Sequence, residues 1–246
     1  MQNSAQFRFF GRLQGLVAKS ELEYRFNGQP AVKDAVEAIG VPHTEVDLLL
    51  VAGRSVSFAY RLQACDQVSV CPFGWTNSLT EMTHLSPPIP HRIAFILDVH
   101  LGKLARRLRM LGFDCQYRND YSDPQIIETA LREGLIILTR DRGILKHSRV
   151  TQGYLVGSQQ VEAQVQEVLL RYRLHQNISE LQRCPQCNAL LKPIDKALIR
   201  HRLLPKTARY YSLFHICTGC ERLYWRGAHY KKISTWLERL RLSEKE

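Results

Sequence analysis

The sequence predicts an α/β protein built around a parallel sheet with helices on both faces, preceded by a small α+β unit and followed by a metal-stapled one. Three observations carry this. From residue 92 onward, short and fully apolar runs alternate with amphipathic helical patterns; residues 5 to 73 carry short strand patterns around one helix; the last third holds two C-x-x-C pairs. Apolar strands alternating with helices belong to a parallel sheet, because both sides of each strand are then buried. With 246 residues and 45% hydrophobic content, the chain can fill such cores.

In the first segment, "AQFRFF" and "ELEYRF" read as two strands, "AVKDAVEAIG" as a helix, and "DLLLVAG", "RSVSF" and "QVSVCPF" as further strands. The stretch "LLLVAGRSVSFAYRLQACDQVSVCPF" resembles a β-grasp, or ubiquitin-like, domain of the kind found in the sulfur carriers of thiamin and molybdopterin biosynthesis. Those carriers act through a C-terminal Gly-Gly tail. This chain reads "PFGWTNS" there and continues, so carrier chemistry is set aside in favour of a docking or stabilising role. Residues 76 to 91 are polar and Pro-rich without a hydrophobic period and read as a linker between a first domain, 1–75, and a second, 92–180.

In the second domain "IAFILD" is a buried strand. "LGKLARRLRMLGFD" places Leu101, Leu104, Leu108 and Leu111 on one helical face. "CQYR" is a short strand, "SDPQIIETALREG" a helix with its own start and stop signals, and "LIILT" a second buried strand. "GYLV" and "SQQVEAQVQEVLLRYRL" supply the last strand and helix. A third unit, 181–246, follows.

Charge is uneven along the chain. Residues 1–90 hold 7 basic and 8 acidic side chains, 91–180 hold 13 and 10, and 181–246 hold 14 and 5. A cationic C-terminal third favours a polyanion, most simply RNA, through counterion release. No stretch approaches the roughly 20 apolar residues of a membrane span, and the N-terminus lacks a signal-peptide layout, which places the protein in the cytoplasm. Of seven cysteines, Cys65, Cys71 and Cys115 lie singly in apolar surroundings and read as small buried residues. Cys184, Cys187, Cys217 and Cys220 form the two pairs. Four thiolates from two such turns close a tetrahedral structural Zn2+ site.

Strand ends carry the chemistry of a parallel sheet. Asp98 follows "AFIL" and Asp141 follows "LIILTR", so parallel neighbouring strands would bring both to one edge, where Asp123 can also project from the start of its helix. Clustered carboxylates repel unless cations lie among them, and hard oxygen ligands select Mg2+ or Mn2+. Arg140 and Arg142 would then hold a phosphate. The bland alternative is that Asp123 and Asp141 merely cap helices. Lys103 and Arg106 are further phosphate contacts, or simply a solvated helix face.

The segment "DPQIIETALREGLIILTRD", Asp123 to Asp141, resembles the hallmark of PIN-domain ribonucleases: an acid opening a helix, an Ala seven residues on (Ala130), and a strand ending in Thr-x-Asp (Thr139, Asp141). With "DVHLGKLARRLRMLGFD" and the cysteine pairs, the resemblance narrows to the PIN-like family named for the C-terminal RNase region of the Mutator-seven exonucleases, preceded by its ubiquitin-like domain. It implies a metal-dependent ribonuclease with Asp98, Asp123 and Asp141 as metal-holding catalytic acids. That fold usually carries one more acid between the first and third. Asp120 is the nearest substitute, or a turn residue. If the acid set is incomplete, the alternative is a non-catalytic RNA-binding adaptor. "KALIRHRLLPKTARYY" and "ERLYWRGAHYKK" interleave basic and aromatic side chains, as surfaces for single-stranded RNA do.

Overall fold

The computed structural model describes residues 2–75 and 82–227. Linker positions 76–81 and the end of the basic C-terminal region, 228–246, lie outside the described residues. The first segment runs β1 (Asn3–Phe9), β2 (Glu21–Phe26), α1 (Val32–Ile39), β3 (Val46–Val51), β4 (Arg54–Ser55) and β5 (Gln67–Pro72). The middle runs β6 (Ala94–Leu97), α2 (Gly102–Met110), β7 (Asp114–Tyr117), α3 (Asp123–Glu133), β8 (Ile136–Thr139), α4 (Arg142–Lys146), β9 (Gly153–Leu155) and α5 (Val161–Tyr172). The cysteine region adds β10 (Leu191–Ile194), α6 (Lys196–Ile199), α7 (Pro205–Tyr210), β11 (Phe214–Cys217) and β12 (Leu223–Tyr224). The chain divides into two compact units, 1–91 with 122–155, and 92–121 with 156–246.

The first unit begins with a five-stranded sheet in the order β2-β1-β5-β3-β4. Its centre is parallel, Phe7 opposite Val68, while β1–β2 and β3–β5 are antiparallel. Two hairpin-like arms around a parallel centre, with one helix across a face, make the β-grasp. Side chains alternate along β3, and both faces are covered. Leu49 and Val51 join Phe7, Phe9, Val36 and Leu62 in the core under α1, while Leu48 and Leu50 meet Cys71, Trp75 and Met82 on the other side. That explains why Leu48 to Val51 in "VDLLLV" are apolar without interruption. The expected strand "RSVSF" shrinks to Arg54–Ser55, since Val56 and Phe58 turn in to the core under α1. The end of the expected linker is docked: buried Asp47 accepts from His84 Nδ1 at 2.8 Å and from the Ser86 N–H at 3.2 Å.

The same unit holds α3, β8, α4 and β9, with β8 and β9 parallel, Ile137 opposite Gly153. Polar side chains tie them to the β-grasp. Glu45, 5% exposed, accepts the Leu155 N–H at 2.6 Å and pairs with Arg12 at 2.8 Å. Arg12 also donates to the Leu155 carbonyl at 2.6 Å and lies over the Tyr154 ring. His43 bridges Glu37 and the Val150 carbonyl, and Lys146 donates to the Glu37 carbonyl.

In the second unit β6 and β7 pair in parallel, Ala94 opposite Asp114 and Leu97 opposite Tyr117. Leu104 and Leu108 of α2 and Val165, Val168 and Leu169 of α5 are fully buried, as helices covering an apolar strand require. Phe95 packs edge-on against Tyr172 and Phe113. Helix α2 ends at Gly112, whose φ of +97° and closeness to the Ser179 backbone exclude a side chain. One correction concerns cysteine: Cys71 and Cys115 are buried, but Cys65 is exposed. It occupies a turn with φ +68°, where the side chain is thrown outward. Among the described residues no helix is long and apolar enough to cross a membrane.

Candidate active site and metal centre

Two of the three sequence-selected acids belong to the first unit. Asp123 is the first residue of α3, but it does not cap it. Ser122 is the N-cap and forms a reciprocal box with Gln125, whose Oε1 accepts the Ser122 N–H at 2.9 Å. The structural task proposed for Asp123 thus falls to its neighbour, and the exposed Asp123 carboxylate has no partner among the described residues. Asp141 does cap: it accepts the Gly143 N–H at 2.6 Å at the start of α4, and its own N–H donates to the buried Thr139 hydroxyl at 2.8 Å. This is how the Thr-x-Asp turn aims the carboxylate out past the strand end. Asp123 and Gly143 line one recess of about 390 Å3, together with Glu128, His147 and Arg149. Arg140 is exposed beside Asp141. Arg142 donates to the Leu16 and Gly40 carbonyls at 2.8 and 3.3 Å, which engages one of its nitrogens with the β-grasp.

The third acid belongs to the second unit. Asp98 closes β6, is 3% exposed, and accepts the His100 N–H at 2.7 Å, starting a single 3-10 turn before α2. A buried carboxylate at the carboxyl end of a parallel strand occupies a ligand position of such sheets. Lys103, one turn further on, is exposed and unpartnered among the described residues, while Arg106 donates to Gln186 at 3.4 Å. Asp120 is exposed and accepts from Nε and Nη2 of Arg118, at 2.9 and 2.7 Å. That hydrogen bonding holds its carboxyl below the usual range.

The four paired cysteines come together. Their Sγ atoms all lie within 4.8 Å of one another, with 3.6 Å between Cys184 and Cys220 and 3.3 Å between Cys187 and Cys217. A Zn–S bond of about 2.3 Å places tetrahedral thiolates about 3.8 Å apart, so the cluster can hold zinc. Backbone N–H groups of Gly219 and Cys220 point at Cys217 Sγ, each at 3.4 Å. Burial raises the Cys184 thiol, but the Tyr224 hydroxyl at 3.0 Å and backbone N–H groups outweigh it and bring it to about 6.

Sequence reasoning missed what anchors this centre. Asn188, left-handed at φ +70°, donates to Asp114 at 2.7 Å and accepts the Cys115 N–H at 3.1 Å. Arg183 pairs with the same Asp114 at 2.9 Å. Buried Arg109 of α2 donates to the Cys115, Gln186 and Pro185 carbonyls. The first knuckle is thereby bolted to strand β7 and helix α2. An Asn directly after a C-x-x-C was the available signal, since Asn tolerates the left-handed region. The long inter-knuckle loop also gains two short helices, α6 capped by Asp195 and α7 opened by Pro205.

Residues 93–237 match the family described as the Mut7-C RNAse domain, and residues 2–76 match Mut7-C ubiquitin. No curated protein matches the chain. Solved structures similar to it include a putative molybdopterin converting factor subunit 1 from Pyrococcus furiosus, 25% identical, covering 28% of this chain and 97% of that one with a TM-score of 0.25. Another is small archaeal modifier protein 1 of Haloferax volcanii, 15% identical over 28% and 97% of the two chains, also with a TM-score of 0.25.

Proposed function

The chain belongs to the Mut7-C RNase domain family and carries that family's ubiquitin-like domain in front, and from that premise we propose that it is a metal-dependent ribonuclease whose catalytic acids are Asp98, Asp123 and Asp141. The observation that carries the reading is the availability of Asp123 beside the turn that holds Asp141. Asp123 is relieved of capping by Ser122, and it borders the same recess as the α4 start that Asp141 holds. Asp98 is a buried carboxylate at a strand end. All three offer hard oxygens of the kind Mg2+ or Mn2+ takes. When bound, such an ion polarises the phosphoryl group and makes water nucleophilic at neutral pH.

The chain's own residues do the rest. His100 N–H fixes the orientation of Asp98, and the Thr139 hydroxyl and Gly143 N–H fix that of Asp141. Arg140 and Lys103 hold phosphate oxygens, with Arg106 and the remaining nitrogens of Arg142 at the margin of the site. The zinc ribbon and the basic C-terminal region bind single-stranded RNA, for which the excess of 14 basic over 5 acidic residues in 181–246 speaks.

The test is cleavage of a mixed-sequence RNA with Mg2+ or Mn2+ by the parent and by Asp98→Asn, Asp123→Asn and Asp141→Asn. Each variant is expected to lose at least about a hundredfold in rate with its fold retained. Parent protein inert with both ions, or variants that cut normally, would overturn the reading. One observation favours the adaptor alternative: Asp120, which would complete the acid set, is engaged by Arg118. Inert parent protein that still binds RNA would establish that alternative.

A further inference from the structure

The 29 residues between the cysteine pairs do more than connect them. Two recesses open on this part of the second unit, and they share Leu203. The first, about 420 Å3, is lined by Arg202, Leu204, Arg222, Tyr224 and Trp225. The second, about 790 Å3, is lined by Lys196, Arg200 and Arg209 between α6 and α7. Both volumes lie in the roughly 300–1,000 Å3 range of ligand sites.

The first recess is rigid where it is aromatic. Tyr224 is tethered through its hydroxyl to Cys184 Sγ, and Trp225 packs against Phe214 and Tyr211 with ring centroids 6.0 and 6.5 Å away. Arg202 donates to the Glu221 carbonyl at 2.7 Å, which fastens the insert to the second knuckle. Arg222 has no side-chain partner among the described residues. Leu204 is 74% exposed at the rim, where its side chain is open to a ligand.

Charge decides what that is. Residues 190–213 hold six basic side chains and one acidic, Asp195. An apolar rim alone would suit a protein partner; an apolar and aromatic recess continuous with a cationic one suits a chain that alternates flat bases with phosphates. We infer that the inter-knuckle insert is a nucleotide grip: one unpaired RNA base enters between Trp225 and Leu204, flanked by Arg202 and Arg222, while the adjoining phosphates follow Lys196, Arg200 and Arg209. This deepens the ribonuclease reading by naming where and how single-stranded RNA is held.

The experiment uses full-length protein loaded with zinc and no added Mg2+ or Mn2+, so that binding is read without cleavage. Fluorescence anisotropy compares a labelled short single-stranded RNA, the same sequence as a duplex, and competition by inorganic polyphosphate. The single strand is expected to bind at least tenfold more tightly than the duplex and to resist polyphosphate. Trp225→Ala should lose about 5- to 150-fold for the single strand, the range of one base stack, and leave duplex binding unchanged. Leu204→Asp, at a position too exposed to unfold the ribbon, should lose affinity for the single strand with zinc content intact. Arg222→Glu and Arg209→Glu should each lower the slope of log K against log salt by about one.

The inference is overturned if Leu204→Asp and Trp225→Ala bind like the parent with zinc retained, or if duplex and polyphosphate compete as well as the single strand. Because cleavage is scored separately with added divalent ion, loss of cleavage in the Asp98→Asn protein with the grip intact leaves this site standing. A cutting enzyme indifferent to Leu204→Asp removes the grip alone.

Discussion

Replacing Glu45 by Ala tests whether the ubiquitin-like domain and the β8–α4–β9 segment are one cooperative body. The Glu45 side chain is 2% exposed and satisfies two partners, the Leu155 N–H at 2.6 Å and Arg12 at 2.8 Å. Its removal leaves the Leu155 N–H buried and unpaired, which costs about 1–3 kcal/mol. Arg12, with 32% of its side chain exposed, keeps the Leu155 carbonyl and the Tyr154 face, so its own loss is smaller. A small cavity adds roughly 1 kcal/mol for the lost methylenes. The sum, about 3 kcal/mol, is a shift of about 150-fold in the folding equilibrium. Urea unfolding of the parent, Glu45→Ala, Glu45→Gln and the Arg12→Ala double variant reads it. Glu45→Gln keeps an acceptor for Leu155 and should recover about half of the loss. The double-mutant cycle should show a coupling of about 0.5–3 kcal/mol. A loss below about 1 kcal/mol in Glu45→Ala, or strict additivity with Arg12→Ala, would refute the argument that the two parts brace each other.

Further outcomes follow from the same geometry. Metal analysis should find one zinc per chain, and Cys187→Ser should lower it; an unchanged content would remove the cluster's role. Asn188→Ala should destabilise the second unit by about 1–2 kcal/mol through two lost, partly buried hydrogen bonds, whereas Asn188→Gly, which suits the left-handed backbone, separates that loss from strain. Ser122→Ala should cost about 1 kcal/mol of stability and leave RNA cleavage intact, while Asp123→Asn does the reverse. Iodoacetamide on zinc-loaded protein should label Cys65 first, with Cys71 and Cys115 protected until unfolding. Burial, helped by Asp47, pushes the Cys71 thiol up to about 11. Its protonated form is favoured by folding, so stability from this source is complete below pH 9 and declines as pH rises toward about 11. Cys71→Ala should flatten that alkaline decline in a pH series of melting temperatures.

Much of this architecture was legible because each element's pattern agreed with its surroundings. The buried runs at 94–98 and 135–139 and the leucine face of α2 are statements about burial, and the structure buries them. The cysteine pairs were legible from spacing alone. Less legible were effects between elements distant in sequence. Nothing near Glu45 announces that its acceptor role is at Leu155, 110 positions on, and nothing near Asp114 announces Asn188 and Arg183. Cys65 looked buried from its neighbours, but a single left-handed dihedral reversed its direction. At Asp123 the sequence left capping and catalysis equally open; the structure gives the cap to Ser122.

The division of the chain into 1–91 with 122–155, and 92–121 with 156–246, means that it changes unit three times. Synthesis proceeds from the N-terminus, and domains generally fold as they emerge. Here, however, the strand that Glu45 and Arg12 clasp is translated only after the first thirty residues of the other unit, 92–121, have already appeared. The β-grasp core can form early with Glu45 paired to Arg12, but the Leu155 N–H that Glu45 also accepts arrives only later. The second unit is likewise held open until its α5 and cysteine pairs follow. Neither body can close before the other has begun, so translation pauses or nicks between 92 and 155 would strand both at once.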